Sequence, residues 1–232
     1  MKRIVIGATL SALAALLVGA PAVAAVPPRP AAGIESANHS GYVVAGQGGL
    51  HEMTAEWVQP QAECGSDPTY ANIQLELAKK TAITKIGTAV ECHHGKPVAY
   101  AWYTGFDRGR YRLPDRLLAG DHITVSVSWY HDEARVSISN ETRHWGAGVG
   151  MADGFVQVPT RVSLGVAARV SEHGPLPLAD FGIVEFSGAS VDGQPISAST
   201  ATPVTMVSGR TVQAKPGPID PPGAFGVAWR HA

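Results

Sequence analysis

His122-Ile123-Thr124-Val125-Ser126-Val127-Ser128-Trp129-Tyr130 alternates apolar and polar residues along its length. Successive side chains of a strand point to opposite faces, so Ile123, Val125, Val127 and Trp129 form one apolar face and Thr124, Ser126 and Ser128 a polar one. A strand with one face buried and one wet belongs to an antiparallel sheet. His131, Asp132 and Glu133 then read as a turn, and Ala134 to Ser139 as the partner strand of a hairpin.

Working outward, the same period of two returns in 41–46, 52–58, 73–78, 82–88 and 98–104 on the N-terminal side. It also returns in 161–171, 181–186, 204–207, 210–214 and 224–229 on the C-terminal side. Gly, Pro and Asp punctuate the gaps, and no stretch of helical length carries an apolar stripe of period 3.6. The expected fold class is all-β, a sandwich or barrel of antiparallel strands.

The first residues read differently. Lys2 and Arg3 precede an apolar run from Ile4 to Leu17, and Ala22-Val23-Ala24 has the small-x-small form of a signal cleavage site, so residues 1–25 are expected to be an export signal. A membrane anchor needs about 20 apolar residues and a charged stop, whereas this run ends in Gly19 and Pro21. The Pro-rich stretch 26–37 reads as a disordered leader, and 38–232 as one domain. The expected product is a secreted, extracellular monomer without a membrane anchor. Removing Lys2 and Arg3 leaves 18 − 2 = 16 basic against 19 acidic residues, a net charge of −3, which makes nucleic acid an unsuitable partner.

Cys64 and Cys92 are the only cysteines. In an oxidising compartment a disulfide is the expected state, closing a loop worth roughly 3 to 4 kcal/mol in the chain-entropy model. His93 and His94 follow Cys92, but two Cys with two adjacent His match no standard zinc spacing, so no metal site is expected. There is no G-x-S-x-G elbow, H-E-x-x-H helix, Walker loop or G-x-G-x-x-G turn, and no cofactor is expected. Asn38-His39-Ser40 and Asn140-Glu141-Thr142 are glycosylation sequons.

Several short segments recur in a telling order: Asn38-His39-Ser40-Gly41-Tyr42, Trp57-Val58-Gln59-Pro60, Ile86-Gly87-Thr88, Tyr100-Ala101-Trp102-Tyr103 and Gly120-Asp121-His122-Ile123. Ser137 to Thr142, Val170-Ser171-Glu172 and Leu178-Ala179-Asp180-Phe181-Gly182 complete the series. From Asn38 to Trp229 the series resembles the glutamic peptidases, or eqolisins. The resemblance implies a concanavalin A-like sandwich of two antiparallel sheets and acid-pH hydrolysis of polypeptides by a Gln and a Glu projecting from neighbouring strands. In that chemistry the Glu activates water as general base and the Gln amide stabilises the oxyanion.

Carried over residue by residue, the family's Glu, at the end of an Ala-Glu-Trp-Ile-Val-Glu strand, falls on Glu172. Its Gln, just before a Thr-Gly or Ile-Gly pair, falls on Lys85. Other cleft positions also depart: His39 stands for a Trp, Asn72 to Leu77, with Gln74 and Glu76, for a Trp-Val-Gly-Ile-Asp-Gly strand, and Trp102-Tyr103-Thr104 for Trp-Tyr-Glu. An ammonium opposite a carboxylate favours its ionised form, so a Lys85–Glu172 pair would hold an inert anion; the alternatives are Lys85 as a cationic oxyanion stabiliser beside an active Glu172, and a purely structural ion pair. Three classes follow. The first is a peptidase with a degenerate dyad, impaired or inactive. The second is a carbohydrate- or protein-binding module using Trp57, Trp102, Tyr103 or Tyr111, and the third is a glycosidase using Glu76 and Glu172.

Overall fold

The computed structural model describes residues 33–46, 48–65, 68–79, 82–104, 109–131, 133–152 and 159–231; the expected signal and most of the leader lie outside them. The first strands are β1 (Ile34–Ser36), β2 (His39–Ala45), β3 (Glu52–Val58), β4 (Tyr70–Lys79), β5 (Ala82–His93), β6 (Lys96–Thr104) and β7 (Arg110–Arg112). Next come β8 (His122–Tyr130), β9 (Glu133–Asn140), β10 (Trp145–Ala152), β11 (Arg161–Ala167), β12 (Val170–Ser171) and β13 (Gly174–Pro175). The last are β14 (Ile183–Val191), β15 (Gln194–Pro195), β16 (Thr202–Ser208), β17 (Thr211–Pro216) and β18 (Phe225–Trp229).

Hydrogen bonds link the strands in the order β10-β9-β8-β3-β14-β18-β17-β16-β2-β11-β4-β5-β6-β7. This path folds over on itself, bringing β4 and β5 against β8 and β9. Division at the irregular β16–β17 hairpin leaves seven strands on each side, and every pairing along the path is antiparallel. The all-β sandwich expected from the period-two pattern is the observed fold, with no helix among the described residues.

The two layers meet over a continuous apolar core. Ile123, Val125, Val127 and Trp129 of β8 are buried, as their alternation demands. Trp57 of β3 packs edge-on against Phe186, which stacks on Phe225, which in turn meets Tyr42. The indole of Trp57 also donates to Thr88 Oγ1 at 3.2 Å, tying β3 to β5 across the interior. Cys64 and Cys92 are bonded, pinning the loop after β3 to β5.

Two expectations need correction. Ile34–Ser36 lies in the stretch read as a disordered leader, yet it pairs in parallel with Val204–Met206 of β16, where tertiary pairing overrides a composition too polar to fold alone. The single strand expected over 161–171 stops at Ala167. Ala168 N instead donates to Asn38 O, Leu176 N donates to Arg169 O, and β12–β13 form a separate hairpin turning at Glu172 and His173. β10 has no apolar alternation of the usual strength because glycines occupy 146, 148 and 150, and its pairing to β9 supplies the order. The second sequon is closed by the fold: Asn140 is buried, and its amide donates to Asp121 Oδ2 at 2.8 Å.

Candidate functional site

The sheet face opposite the core bounds a cleft of about 810 Å³. Its floor is made by the register of β2, β11, β4, β5 and β6, in which alternate residues form rungs across the strands. One rung runs Val43, Ser163, Glu76, Lys85; the next Gly41, Gly165, Gln74, Gly87, Trp102; the third His39, Ala167, Asn72, Ala89, Tyr100. Three of the five residues of the middle rung are glycines. A Cβ on Gly41 (φ 149°) or Gly165 (φ 156°) would meet a carbonyl of the neighbouring strand, so these two glycines permit the close approach of β2 and β11.

At one end of the floor Glu76 forms the hub of a polar cluster. Lys85 Nζ lies 3.0 Å from its Oε2, and Arg161 Nη2 3.7 Å from its Oε1. Gln74 Nε2 approaches the same Oε2 at 3.5 Å. The Lys85 amide donates to Thr104 Oγ1 at 2.9 Å, which sets β5 against the end of β6.

At the other end Arg110 reaches in from edge strand β7. Its guanidinium lies 3.8 Å from the Trp102 ring centroid and 5.3 Å from that of Tyr100. One Nη2 hydrogen bond, 2.8 Å, goes to Asn72 Oδ1, while the buried Nε has no partner. Burial lowers the affinity of Arg110 for its proton. Trp102 lies flat because its indole donates to Thr88 O at 3.1 Å and because Gly87 beside it is bare. Nearby, Tyr100 donates to Glu91, whose other neighbours are Arg169 at 3.1 Å and His93 at 3.2 Å. Burial and that bond to Glu91 push the Tyr100 hydroxyl up to about 12. Burial raises the Glu91 carboxyl, but the Tyr100 and His93 bonds and the Arg169 and Arg110 charges outweigh it and hold the group low.

His39 closes the floor beneath β1. Its pKa is lowered to about 4, chiefly because burial strips the imidazolium of water; Glu76 opposes the shift, and Lys85 and Arg161 add to it. Its Nε2 is buried without a hydrogen-bond partner.

The structure therefore gathers His39, Gln74, Glu76, Lys85, Trp102 and Thr104 around one cleft. It does not bring Glu172 there. That side chain is 85% exposed on the β12–β13 turn, where it lies 3.3 Å from the adjacent His173. β11 ends at Ala167, and its cleft-facing positions are Arg161, Ser163, Gly165 and Ala167, so the same alternation carried on to 172 would have turned Glu172 to the core side. The cleft-lining side of β11 carries Arg161, Ser163 and Ala167, with Gly165 on the intervening rung, so no register along β11 supplies a carboxylate. Nor do Glu76 and Glu172 face each other across the cleft as a glycosidase pair would. Trp57 is a core residue, and Tyr103 stacks on the half-exposed Tyr111 outside the floor.

Sequence reasoning missed Arg110, Arg161, Arg169 and Asn72. Arg161 was legible as a strand residue of the cleft-facing parity, but Arg110 sits on a three-residue strand with no periodic signal.

A sandwich with a charged cleft on one sheet defines the class, and comparison supplies the family. The profile of the Peptidase A4 family matches residues 37–216, and the chain belongs to that family of glutamic peptidases. The fold is similar to that of scytalido-glutamic peptidase solved with a transition-state analog inhibitor, at 17% identity and a TM-score of 0.71, covering 84% of this chain and 98% of that one. SCP-B, an eqolisin solved with the tripeptide Ala-Ile-His, matches at 17% identity and a TM-score of 0.68 over the same shares, 84% and 98%. Aspergilloglutamic peptidase from Aspergillus niger matches at 20% identity and 0.59, covering 70% and 99%. Comparison with curated proteins finds no match.

Proposed function

We propose that this chain is an exported member of the glutamic peptidase family that holds polypeptide in its cleft without hydrolysing it at acid pH. The observation that carries the reading is the state of Glu76: it is the carboxylate on the cleft floor, and it is engaged by Lys85 at 3.0 Å and Arg161 at 3.7 Å. Acid hydrolysis by this family's chemistry needs a carboxylate that exchanges a proton with water and the leaving amine, beside a neutral amide that receives the oxyanion. Lys85 stands where the amide is expected, and β11 brings no second carboxylate. Export is supported by the Lys2-Arg3 signal pattern and by the Cys64–Cys92 disulfide, which suits an oxidising compartment.

The 3.5 Å approach of Gln74 to Glu76 is the one feature that favours a relocated Gln–Glu pair. Both readings meet in one experiment: digestion of a denatured protein at acid pH by the purified chain, with Glu76→Gln alongside, and a parallel measurement of peptide binding. The expected outcome is binding without cleavage. Cleavage that disappears in Glu76→Gln would overturn the non-hydrolytic reading and make Glu76 the base.

A further inference from the structure

Resting on the peptide-binding reading, we infer that the cleft selects extended peptides bearing carboxylates, taken by Arg110 at one end of the floor and by Lys85 and Arg161 at the other. Among the described residues the cleft is lined by Lys85, Arg110, Arg161 and Arg169 against Glu35 and Glu76, and Glu91 pairs with Arg169, so the local sum is 4 − 3 = +1. The whole chain carries −1. A concave, low-dielectric surface of one sign on a protein of the other sign concentrates ligands of the protein's own net sign.

The balance is uneven at each end. Lys85 and Arg161 share a single carboxylate, Glu76, which leaves one cation in excess. Arg169 is matched by Glu91. Arg110 has no carboxylate within ion-pair range among the described residues; it is held by the Trp102 face and by Asn72, with Nε unpartnered. Among the described residues Arg110 shares the charge of Glu91, at longer range, with Arg169, so the buried guanidinium is only partly compensated, and a carboxylate that meets it relieves the remaining cost. The stack on Trp102 prepays the ordering of the side chain, so less is lost when an anion arrives. The field is also felt by His39, on which Lys85 and Arg161 disfavour the proton.

The rim adds the second half of the specificity. Ile34, Ile83 and Val170 are exposed and line the mouth of the same cleft, offering apolar contact to residues between the acidic ones. The ligand is therefore an extended segment in which carboxylates flank an aliphatic side chain, its backbone lying along the glycines 41, 165 and 87 of the middle rung.

The test is fluorescence anisotropy with the full exported chain and three labelled octapeptides: one with two Glu flanking an Ile and an amidated C-terminus, its Gln counterpart, and that Gln counterpart with a free carboxylate. The Glu peptide is expected to bind at least about tenfold more tightly than the Gln amide at low ionic strength, and the gap to narrow as salt shortens the Debye length. Arg110→Gln and Arg161→Gln should each weaken the Glu peptide about fivefold or more, and weaken it by a larger factor than the Gln amide. Arg161 is about half exposed, so its variant keeps the test open should Arg110→Gln fail to fold. If the free-carboxylate Gln peptide binds as the Glu peptide does, the anion is a chain terminus and the inference stands with that source. Equal binding of the Glu peptide and the Gln amide would overturn the selection for carboxylates and leave peptide binding intact; no binding of any peptide would overturn both.

Discussion

The two faces of the sheet formed by β2, β11, β4 and β5 are built from alternate residues of the same strands, yet they obey different rules. Toward the core stand Ile73, Leu75, Leu77, Ile86, Val162, Leu164 and Val166, all essentially inaccessible. Toward the cleft stand Asn72, Gln74, Glu76, Lys85, Ser163 and Ala167. Packing density constrains the first set, since a void or an extra methylene is felt at once. The second set needs only mutual hydrogen bonding and charge balance, which many combinations satisfy, so the scaffold persists while the chemistry of the cleft is free to change.

The largest test of this difference uses neighbours on one strand. Leu164→Ala removes a fully buried side chain from the middle of β11 and is expected to cost about 3 to 4 kcal/mol. Ser163→Ala, one residue away on the cleft face, should stay within about 1 kcal/mol. Urea denaturation of both variants measures the contrast, and comparable losses would mean that the cleft floor is as tightly determined as the core.

How far each face could be read from the sequence follows from the same asymmetry. Period-two burial is imposed residue by residue, so the β8 strand, its hairpin to β9 and the all-β class were legible in Ile123 to Trp129, and the disulfide in a lone pair of cysteines. The choice of His39, Gln74, Glu76, Lys85, Trp102 and Thr104 as cleft positions came from the resemblance to the glutamic peptidases and from no period in the sequence; the structure sets these side chains around one cleft. Glu172 was misplaced on two counts: its parity along β11 is that of the core-facing Val162, Leu164 and Val166, and the strand ends before it at tertiary hydrogen bonds such as Ala168 N to Asn38 O, which no local pattern records. The partner of Lys85 was missed for a related reason: Glu76 opposes it through the β4–β5 register, not through proximity to any motif.

Acid should separate two polar groups of intermediate effect. Asp121 accepts from Leu118 N, Asn140 and Arg143; burial raises its carboxyl, but these bonds outweigh it and leave the folded pKa below the unfolded one. Its contribution is therefore full above the unfolded value near about 4 and lost as pH falls through the lower folded value. His39 also has a depressed pKa, but as a base: below about 6.5 the unfolded chain takes up a proton that the folded chain refuses until about pH 4, so folding weakens across that window. Thermal unfolding from pH 7 to pH 2 should show Asp121→Asn destabilised by roughly 2 kcal/mol at pH 7 and converging on the parent in acid. His39→Gln should instead flatten the slope between pH 6.5 and 4. An unchanged slope in that variant would mean that water reaches His39 and its proton is not refused.

The smallest expected effect is that of Lys85→Gln, and it bears most directly on the cleft. The Lys85–Glu76 pair is partly exposed, 30% and 12% at the two side chains, so screening limits its worth and its loss should change stability by less than about 1 kcal/mol. Glu76 retains Arg161 as a counter-ion at 3.7 Å, so it is not left as an unpaired buried charge. The substitution places an amide on β5 beside Glu76 and Gln74, but it brings no carboxylate to β11, and acid peptidase activity should remain undetectable with a denatured protein substrate. Turnover that appears in Lys85→Gln and vanishes in Lys85→Gln/Glu76→Gln would show that the ammonium alone had silenced a base already in place, and that the cleft had drifted by one residue and not by several.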